Sequence, residues 1–128
     1  MKFLTDTNAF LWFITDSPRL IVKAKALLES RDNERLLSIA SVWEIAIKAS
    51  LGKLTFRKPL DEFISEQIAI NGFTILDISI AHALRVARLP FHHRDPFDRI
   101  LVAQCLVESL PLVSSDDTLD AYGVQRLL

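Results

Sequence analysis

The sequence predicts an α/β fold in which short buried strands alternate with amphipathic helices. Four apolar runs have the length of strands: Lys2 to Thr5, Leu36 to Ala40, Phe73 to Leu76 and Leu112-Val113. Segments with helical apolar spacing separate these runs, and polar capping residues stand at the boundaries. Because this alternation is typical of parallel sheets covered by helices, we expect one short, mostly parallel sheet.

The first two helices are predicted from capping residues and apolar spacing. The first strand stops at Asp6, which is read as a cap before a helical turn or two over Ala9 to Ile14. Ser17-Pro18 is expected to open the second helix, because proline is preset for the first helical turn. The apolar residues that follow have helical spacing: Leu20, Ala24, Leu27 and Leu28.

The middle of the chain predicts two further helices. After the second strand, Ser41 is expected to start a helix through Ala49, with Gly52 as its left-handed stop. Pro59-Leu60 opens the next helix, which runs to about Ile70 and is closed by Asn71-Gly72.

Three helices and a last strand are predicted beyond the third strand. Ser79 caps a helix that runs to about Arg88, and Asp95-Pro96 starts a long helix that runs to Glu108. A short helix over Asp117 to Ala121 follows the fourth strand, and a last strand is expected at Val124 to Arg126.

Length and composition indicate a single compact domain, residues 1–128. The chain has 128 residues, 50% of them hydrophobic, with 15 basic against 16 acidic side chains. This composition excludes a disordered chain, and the balance of charge argues against stable DNA binding by the protein itself. No apolar run can cross a membrane. With Cys105 as the only cysteine, we expect a soluble protein of the reducing cytoplasm.

Four acidic residues fall where strands end or the next helices begin: Asp6, Glu44, Asp98 and Asp116. In a parallel sheet all strands end at one edge, and ligands bind outside that edge. Clustered carboxylates repel one another, and a divalent cation such as Mg²⁺ removes this repulsion. We therefore predict a metal site suited to phosphodiester hydrolysis.

Five polar neighbours are candidates for positioning groups or RNA contacts: Thr7, Asn8, Lys48, Ser114 and Arg99. Lys48 lies one helical turn beyond Glu44 and could pair with it or contact a phosphate. Arg99 is either a solvated charge or a clamp on a carboxylate. His92 and His93 could ligate a metal or take up a proton, but adjacent histidines point apart, so loop or packing roles are preferred.

Four segments resemble those of a known nuclease family. Phe3 to Asn8 resembles the opening of PIN-domain ribonucleases, and Ser41 to Lys48 with Leu51 to Leu54 resembles the second motif of their VapC-type toxin branch. His93 to Gln104 is similar to the third motif, and Val113 to Asp116 to the last. The resemblance spans nearly the whole chain with the motifs in order.

This resemblance implies a three-layer α/β/α PIN-like fold and a magnesium-dependent endoribonuclease that is the toxin of a toxin–antitoxin pair. Asp6 and Asp98 would be the main Mg²⁺ ligands (Mn²⁺ could replace it), while Glu44 and Asp116 would complete the cluster. The implied partners are a single-stranded or loop RNA substrate, a cognate antitoxin and a second copy in a homodimer. Asn8 departs from the histidine that this branch often carries.

Two alternative functions stay open from the residues. A non-catalytic α/β interaction module is possible if the acids merely cap helices: Ser41-x-x-Glu44 reads as a capping box, and Asp95 to Asp98 as a helix start. An aspartate-based phosphatase would use Asp6 as its nucleophile. That class resembles a motif with a second acid two residues later, where this chain has Asn8.

Overall fold

A computed structural model describes all 128 residues and contains a four-stranded parallel sheet. The strands are β1 (Lys2–Thr5), β2 (Glu34–Ser38), β3 (Thr74–Leu76) and β4 (Leu112–Val113). Their spatial order is β3-β2-β1-β4, and every pairing is parallel. The predicted α/β class and the four predicted strands are thus confirmed.

Six helices connect and cover these strands. They are α1 (Thr7–Ile14), α2 (Val22–Glu29), α3 (Ile39–Ser50), α4 (Leu60–Asn71), α5 (Ile80–Arg85) and α6 (Pro96–Glu108). Two 3₁₀ helices lie at Val86–Arg88 and Asp117–Tyr122. None of the helices combines the length and the apolar character needed to span a bilayer.

Local capping chemistry sets most of the helix boundaries. The Asp95 side chain accepts a hydrogen bond from the Phe97 N–H at 2.8 Å, with Pro96 in the first turn of α6. Ser79 and His82 form a reciprocal capping box at the start of α5. Gly72 ends α4 with a left-handed φ of 72°, which only glycine adopts without strain. These three boundaries match the prediction.

Two predicted helix starts are wrong. Ser17 accepts a hydrogen bond from the Arg19 N–H, but this closes only a local turn, and α2 begins at Val22. The helix expected at Ser41 begins at Ile39, because the Ser38 side chain accepts the hydrogen bond from the Ala40 N–H at 3.0 Å. The predicted capping box between Ser41 and Glu44 therefore does not form.

The end of the chain also differs from the prediction. The strand expected at Val124 to Arg126 is reduced to one parallel bridge between Arg126 and Leu112. The helix expected at Asp117 to Ala121 is the 3₁₀ helix that ends at Tyr122. Gly123 then turns the chain with a φ of 78°.

Alternating strand residues build two hydrophobic clusters, one on each face of the sheet. Phe3 and Leu37 belong to the cluster with α1, α2 and α4, while Leu4 and Leu36 belong to the cluster with α6. All four are buried, and each buried side chain of this size contributes about 1.5–3 kcal/mol. Helices therefore cover both faces, which gives the expected three-layer α/β/α architecture.

Candidate active site

The cleft lies at the carboxyl ends of the parallel strands, where the chain topology reverses. The connection from β1 leads to β2 on one side, whereas β4 pairs with the other side of β1. Asp6 follows β1, and its N–H donates to the Val113 carbonyl of β4 at 3.0 Å. Such switch points are where open α/β sheets bind ligands.

Asp6 is buried at the base of this cleft. Only 7% of the residue is exposed, and its Oδ1 accepts a hydrogen bond from the Ala9 N–H at 2.7 Å. Burial raises the pKa of Asp6 above its usual value, and the hydrogen bonds from Ser114 and Ala9 oppose this increase. The charges of Glu44 and Asp116 raise the pKa further, so these carboxyls are near neighbours.

Asp98 points from the first turn of α6 toward the same groups. Burial raises the pKa of Asp98 to about 7, and the charge of Asp95 adds to this effect, whereas His93 opposes it. The charges of Asp6 and Glu44 also raise the pKa. Near neutral pH the Asp98 carboxyl is therefore poised between its protonated and ionised forms.

Glu44 brings a buried carboxylate from the second turn of α3. Its Oε2 lies 2.9 Å from Lys48 Nζ, a pair that the sequence spacing allowed. Its Oε1 is buried and has no hydrogen-bond partner. An unpaired buried carboxylate oxygen is costly, and a cation is the ligand that removes this cost. The donor set of carboxylate oxygens therefore fits a hard divalent cation.

Asp116 is held by hydrogen bonds to both of its oxygens. Oδ1 accepts from the N–H and the hydroxyl of Thr118, and Oδ2 lies 3.2 Å from His93 Nε2. Although burial alone would raise it, the hydrogen bonds from Thr118 and the proximity of His93 lower the pKa of Asp116. Asp116 is thus ionised when Asp98 is still partly protonated.

His93 lies in the loop before α6, in keeping with the loop or packing role preferred from the sequence, and its ring also lies between two of the acids. Its Nε2 is 3.4 Å from Asp98 Oδ2 and 3.2 Å from Asp116 Oδ2. The expected divergence of the two histidines is observed, since His92 packs against Tyr122 instead, with ring centroids 5.1 Å apart. The hint of this placement in the sequence was that His93 lies five residues before Asp98, just ahead of the helix that carries this acid.

Arg99 does not reach the cleft, so both predicted roles for it are wrong. Its side chain is buried, and the guanidinium donates to the carbonyls of Pro90, Val86 and Leu89 and to the Tyr122 hydroxyl. These carbonyls lie in the 3₁₀ helix Val86–Arg88 and in the turn that follows it, and the guanidinium supplies donors to them. Arg99 stabilises this turn and contacts neither a carboxylate nor the surface.

The remaining candidates separate into buried and exposed groups. Thr7 is buried and donates its hydroxyl to Ser41 at 2.9 Å, which joins α1 to α3. Ser114 is buried, accepts from the Asp116 N–H at 3.1 Å, and lies near enough to Asp6 to lower the pKa of that carboxyl. Asn8 is exposed on α1. Among the candidates, Lys48 thus directly contacts a carboxylate of the cleft, and Ser114 contacts the backbone of Asp116.

Some acids of the cleft cap helices, and all four also lie close enough to affect one another electrostatically. Asp6 and Asp116 do cap the elements that follow them, but Glu44 and Asp98 make no capping hydrogen bond. Carboxyl groups from four remote segments nevertheless influence one another's ionisation. Such a cluster can hold a cation that polarises a phosphoryl oxygen and activates water.

Comparison with known proteins identifies a domain family and solved structures that share this fold. The family model for the PIN domain matches residues 3–125. Ribonuclease VapC16 of Mycobacterium tuberculosis (strain ATCC 25618 / H37Rv) is 36% identical over 69 residues, which cover 51% of this chain and 49% of that protein. The match thus spans about half the length of this curated relative.

Solved toxin–antitoxin structures share the whole fold. The structure of VapBC2 from Rickettsia felis bound to a promoter DNA fragment superposes with a TM-score of 0.75 at 14% identity, covering 98% of this chain and 97% of that one. A toxin–antitoxin complex from Klebsiella pneumoniae gives 0.61 at 22% identity, with 89% and 86% covered. Because the family model matches residues 3–125, which is nearly the whole chain, the chain belongs to the PIN domain family.

Proposed function

We propose that this protein is a magnesium-dependent endoribonuclease that cleaves single-stranded or loop RNA. The observation that carries the proposal is the convergence of Asp6, Glu44, Asp98 and Asp116, with Glu44 Oε1 buried and unpartnered. The similarity to a protein named as a ribonuclease supports the same reaction class. Flexible RNA suits this site because its phosphates can enter a recessed cleft.

Asp6 and Asp98 would hold Mg²⁺ or Mn²⁺ in this proposal. Both are largely buried, and burial is the main cause of their raised pKa values, while the charges of neighbouring acids raise these pKa values further. A cation would offset both effects. When bound, the cation supplies Lewis-acid stabilisation of the phosphate. Cation binding would also favour the ionised form of Asp98 at neutral pH.

The other polar groups of the cleft would orient the reactants. Asp116 is ionised and fixed by Thr118 and His93, so it can accept a hydrogen bond from the attacking water and hold that water in line with the scissile bond. Lys48 is about one-third exposed beside Glu44 and can contact an RNA phosphate. The products of in-line attack by water would be a 5′-phosphate and a 3′-hydroxyl.

Two protein partners form part of the proposal. A cognate antitoxin would cover the cleft, in keeping with the solved neighbour that is a toxin–antitoxin complex. A homodimer is supported by exposed apolar side chains on α3 and α5, namely Trp43, Ile80 and Leu84, which are 60%, 80% and 67% exposed. We place the activity in the cytoplasm, where RNA and an antitoxin are both present.

Charge-neutral variants of the two metal candidates test this function. Asp6→Asn and Asp98→Asn should abolish Mg²⁺-dependent cleavage of a single-stranded RNA while leaving the far-UV circular dichroism spectrum unchanged. Asp32→Asn is the matched control, since Asp32 is exposed in the turn before β2 at the opposite edge of the sheet. Cleavage at the parental rate by either cleft variant would refute the assignment.

The interaction-module alternative gives the opposite result. In that case the parent protein would cleave no RNA with Mg²⁺ or Mn²⁺, and neither cation would raise its melting temperature. A nuclease with this site should lose activity in EDTA and regain it when Mg²⁺ is restored.

A further inference from the structure

We propose that His93 is a positioning residue whose Nε2–H group ties the Asp98 and Asp116 carboxylates together and that it is not itself a metal ligand. The inference rests on the proposed function, because it assigns a role within the same cleft. Its starting point is a cluster in which one ligand atom from each of His93, Asp98 and Asp116 lies within 4.8 Å of the others.

The hydrogen bonds of the imidazole ring fix its tautomer. The Asp95 N–H points at His93 Nδ1 at 3.1 Å. A backbone amide can only donate, so Nδ1 must present its lone pair, and the single proton of the neutral ring must lie on Nε2. Nε2 in turn faces two acceptors, Asp98 Oδ2 at 3.4 Å and Asp116 Oδ2 at 3.2 Å. The ring therefore donates a hydrogen bond to Asp116, and the same N–H group lies close enough to Asp98 Oδ2 to attract it electrostatically.

This tautomer is incompatible with metal ligation by His93. A histidine binds a metal through a nitrogen lone pair, and the Nε2 lone pair does not exist while Nε2 carries the proton. Moving the proton to Nδ1 would set two N–H groups against each other at the start of α6 and would break the hydrogen bond from Asp95. The ring thus supports the carboxylates and leaves the cation to oxygen ligands.

A second set of contacts holds the ring in place. The backbone N–H of His93 donates to the Tyr122 hydroxyl at 2.9 Å, and the same hydroxyl accepts a hydrogen bond from Arg99 Nη1 at 3.1 Å. Arg99 is itself anchored on the carbonyls of the turn before His93, including Pro90 at 2.8 Å. Arg99 therefore acts on the cleft indirectly, through Tyr122 and His93.

The link joins two segments that repulsion would otherwise separate. Asp98 belongs to α6, and Asp116 follows β4, so no backbone hydrogen bond of a shared element fixes their separation. The imidazole engages Oδ2 of each carboxylate and leaves Asp98 Oδ1 for the cation. Outer donors of this kind typically change metal affinity or activity by about 10–100-fold when they are removed.

Nitrogen-15 NMR of the imidazole rings tests the assignment in the intact protein. In metal-free protein and in protein saturated with Mg²⁺, we expect the His93 signals of a protonated Nε2 and an unprotonated Nδ1. A protonated Nδ1, or an Nε2 resonance that changes to a metal-bound value when Mg²⁺ is added, would overturn the proposal. This readout does not depend on RNA cleavage or on a variant that must fold.

Three variants separate positioning from a general structural role. His93→Ala should weaken Mn²⁺ binding in calorimetry by about tenfold or more and should lower kcat more than it changes KM for RNA. His93→Gln should recover most of both, because its amide N–H can also donate. His92→Gln is the matched control and should resemble the parent. Equal defects in His93→Ala and His93→Gln, or parental metal binding in both, would refute the donor role.

The two proposals can fail separately. If the parent protein cleaves no RNA, the proposed function is wrong, but the NMR result still decides whether His93 donates from Nε2. If the protein is an active nuclease and His93 has the other tautomer, only the positioning role is refuted.

Discussion

Replacing Asp98 with asparagine should stabilise the metal-free protein above neutral pH. Burial, with the charge of Asp95, raises the pKa of Asp98 from 3.8 to about 7 in the folded protein. The folded state therefore binds this proton more tightly than the unfolded state does. Its contribution to stability is complete below the unfolded pKa and is lost as the pH rises through the folded pKa. Asparagine carries no charge, so the variant avoids this loss.

The structure sets the size of this effect. A shift of about three pKa units at about 1.4 kcal/mol each gives a ceiling of about 4 kcal/mol at pH 8. A quarter of the Asp98 side chain (25%) is exposed, so water screens part of this energy. The variant also loses an acid near the N-terminus of α6, which costs about 0.3–1 kcal/mol. We expect a net gain of about 1–2 kcal/mol, or a rise in Tm of roughly 4–8 °C.

Thermal melts between pH 4 and pH 9 in EDTA measure this gain. The Tm difference between Asp98→Asn and the parent should be small or negative at pH 4. It should increase as the pH rises from 3.8, the ordinary pKa of the carboxyl, to about 7, its pKa in the folded protein. Asp32→Asn carries the same charge change at an exposed turn and should show no such increase. Adding Mg²⁺ should raise the Tm of the parent and leave that of the variant nearly unchanged.

A pH-independent difference would refute the reasoning. If Asp98→Asn were less stable than the parent by the same amount at every pH, the interaction of Asp98 with the helix dipole would outweigh the cost of burying its charge. Burial would then not raise the pKa of Asp98, and the argument that a cation offsets this cost would be lost.

Two further predictions concern proton linkage and the buried arginine. Mg²⁺ affinity, measured by calorimetry, should fall as the pH drops below 7, because protons compete with the cation for Asp98. Binding of Mg²⁺ at pH 7 should also release protons to the buffer. An affinity that did not depend on pH would place the metal away from Asp98. Arg99→Ala should lower the free energy of unfolding in urea by about 3 kcal/mol, because buried carbonyls lose their donor. A loss of RNA affinity without a loss of stability would instead favour the surface role.

Capping chemistry explains which parts of the fold could be predicted. Asp95-Pro96 starts α6 and Ser79 starts α5, since the hydrogen bonds that define these boundaries join residues close in sequence. The choice between Ser38 and Ser41 is different, because both could cap α3. The Ser41 hydroxyl instead accepts a hydrogen bond from Thr7, which lies 34 residues away in the sequence. This contact exists only in the folded structure, so the sequence alone could not exclude Ser41 as the cap.

The same distinction applies to the site. The four acids could be placed at one edge because parallel strands end there, whatever the details of packing. The role of His93 depends on Tyr122 and Asp116, which lie 29 and 23 residues further along the chain. Arg99 was misassigned because the turn that it stabilises has no recognisable pattern. Contacts between irregular segments were therefore the part that sequence reasoning missed.

The brevity of β4 has a consequence for the dynamics of the protein. This strand joins β1 through only two residue pairs, Leu4 with Leu112 and Thr5 with Val113, yet the segment behind it carries Ser114 and Asp116. Its ladder with β1 is shorter than the four-pair ladder between β1 and β2, so the amides of this shorter ladder should exchange with deuterium sooner. Any opening of this segment would move Ser114 and Asp116 away from the other acids of the cleft.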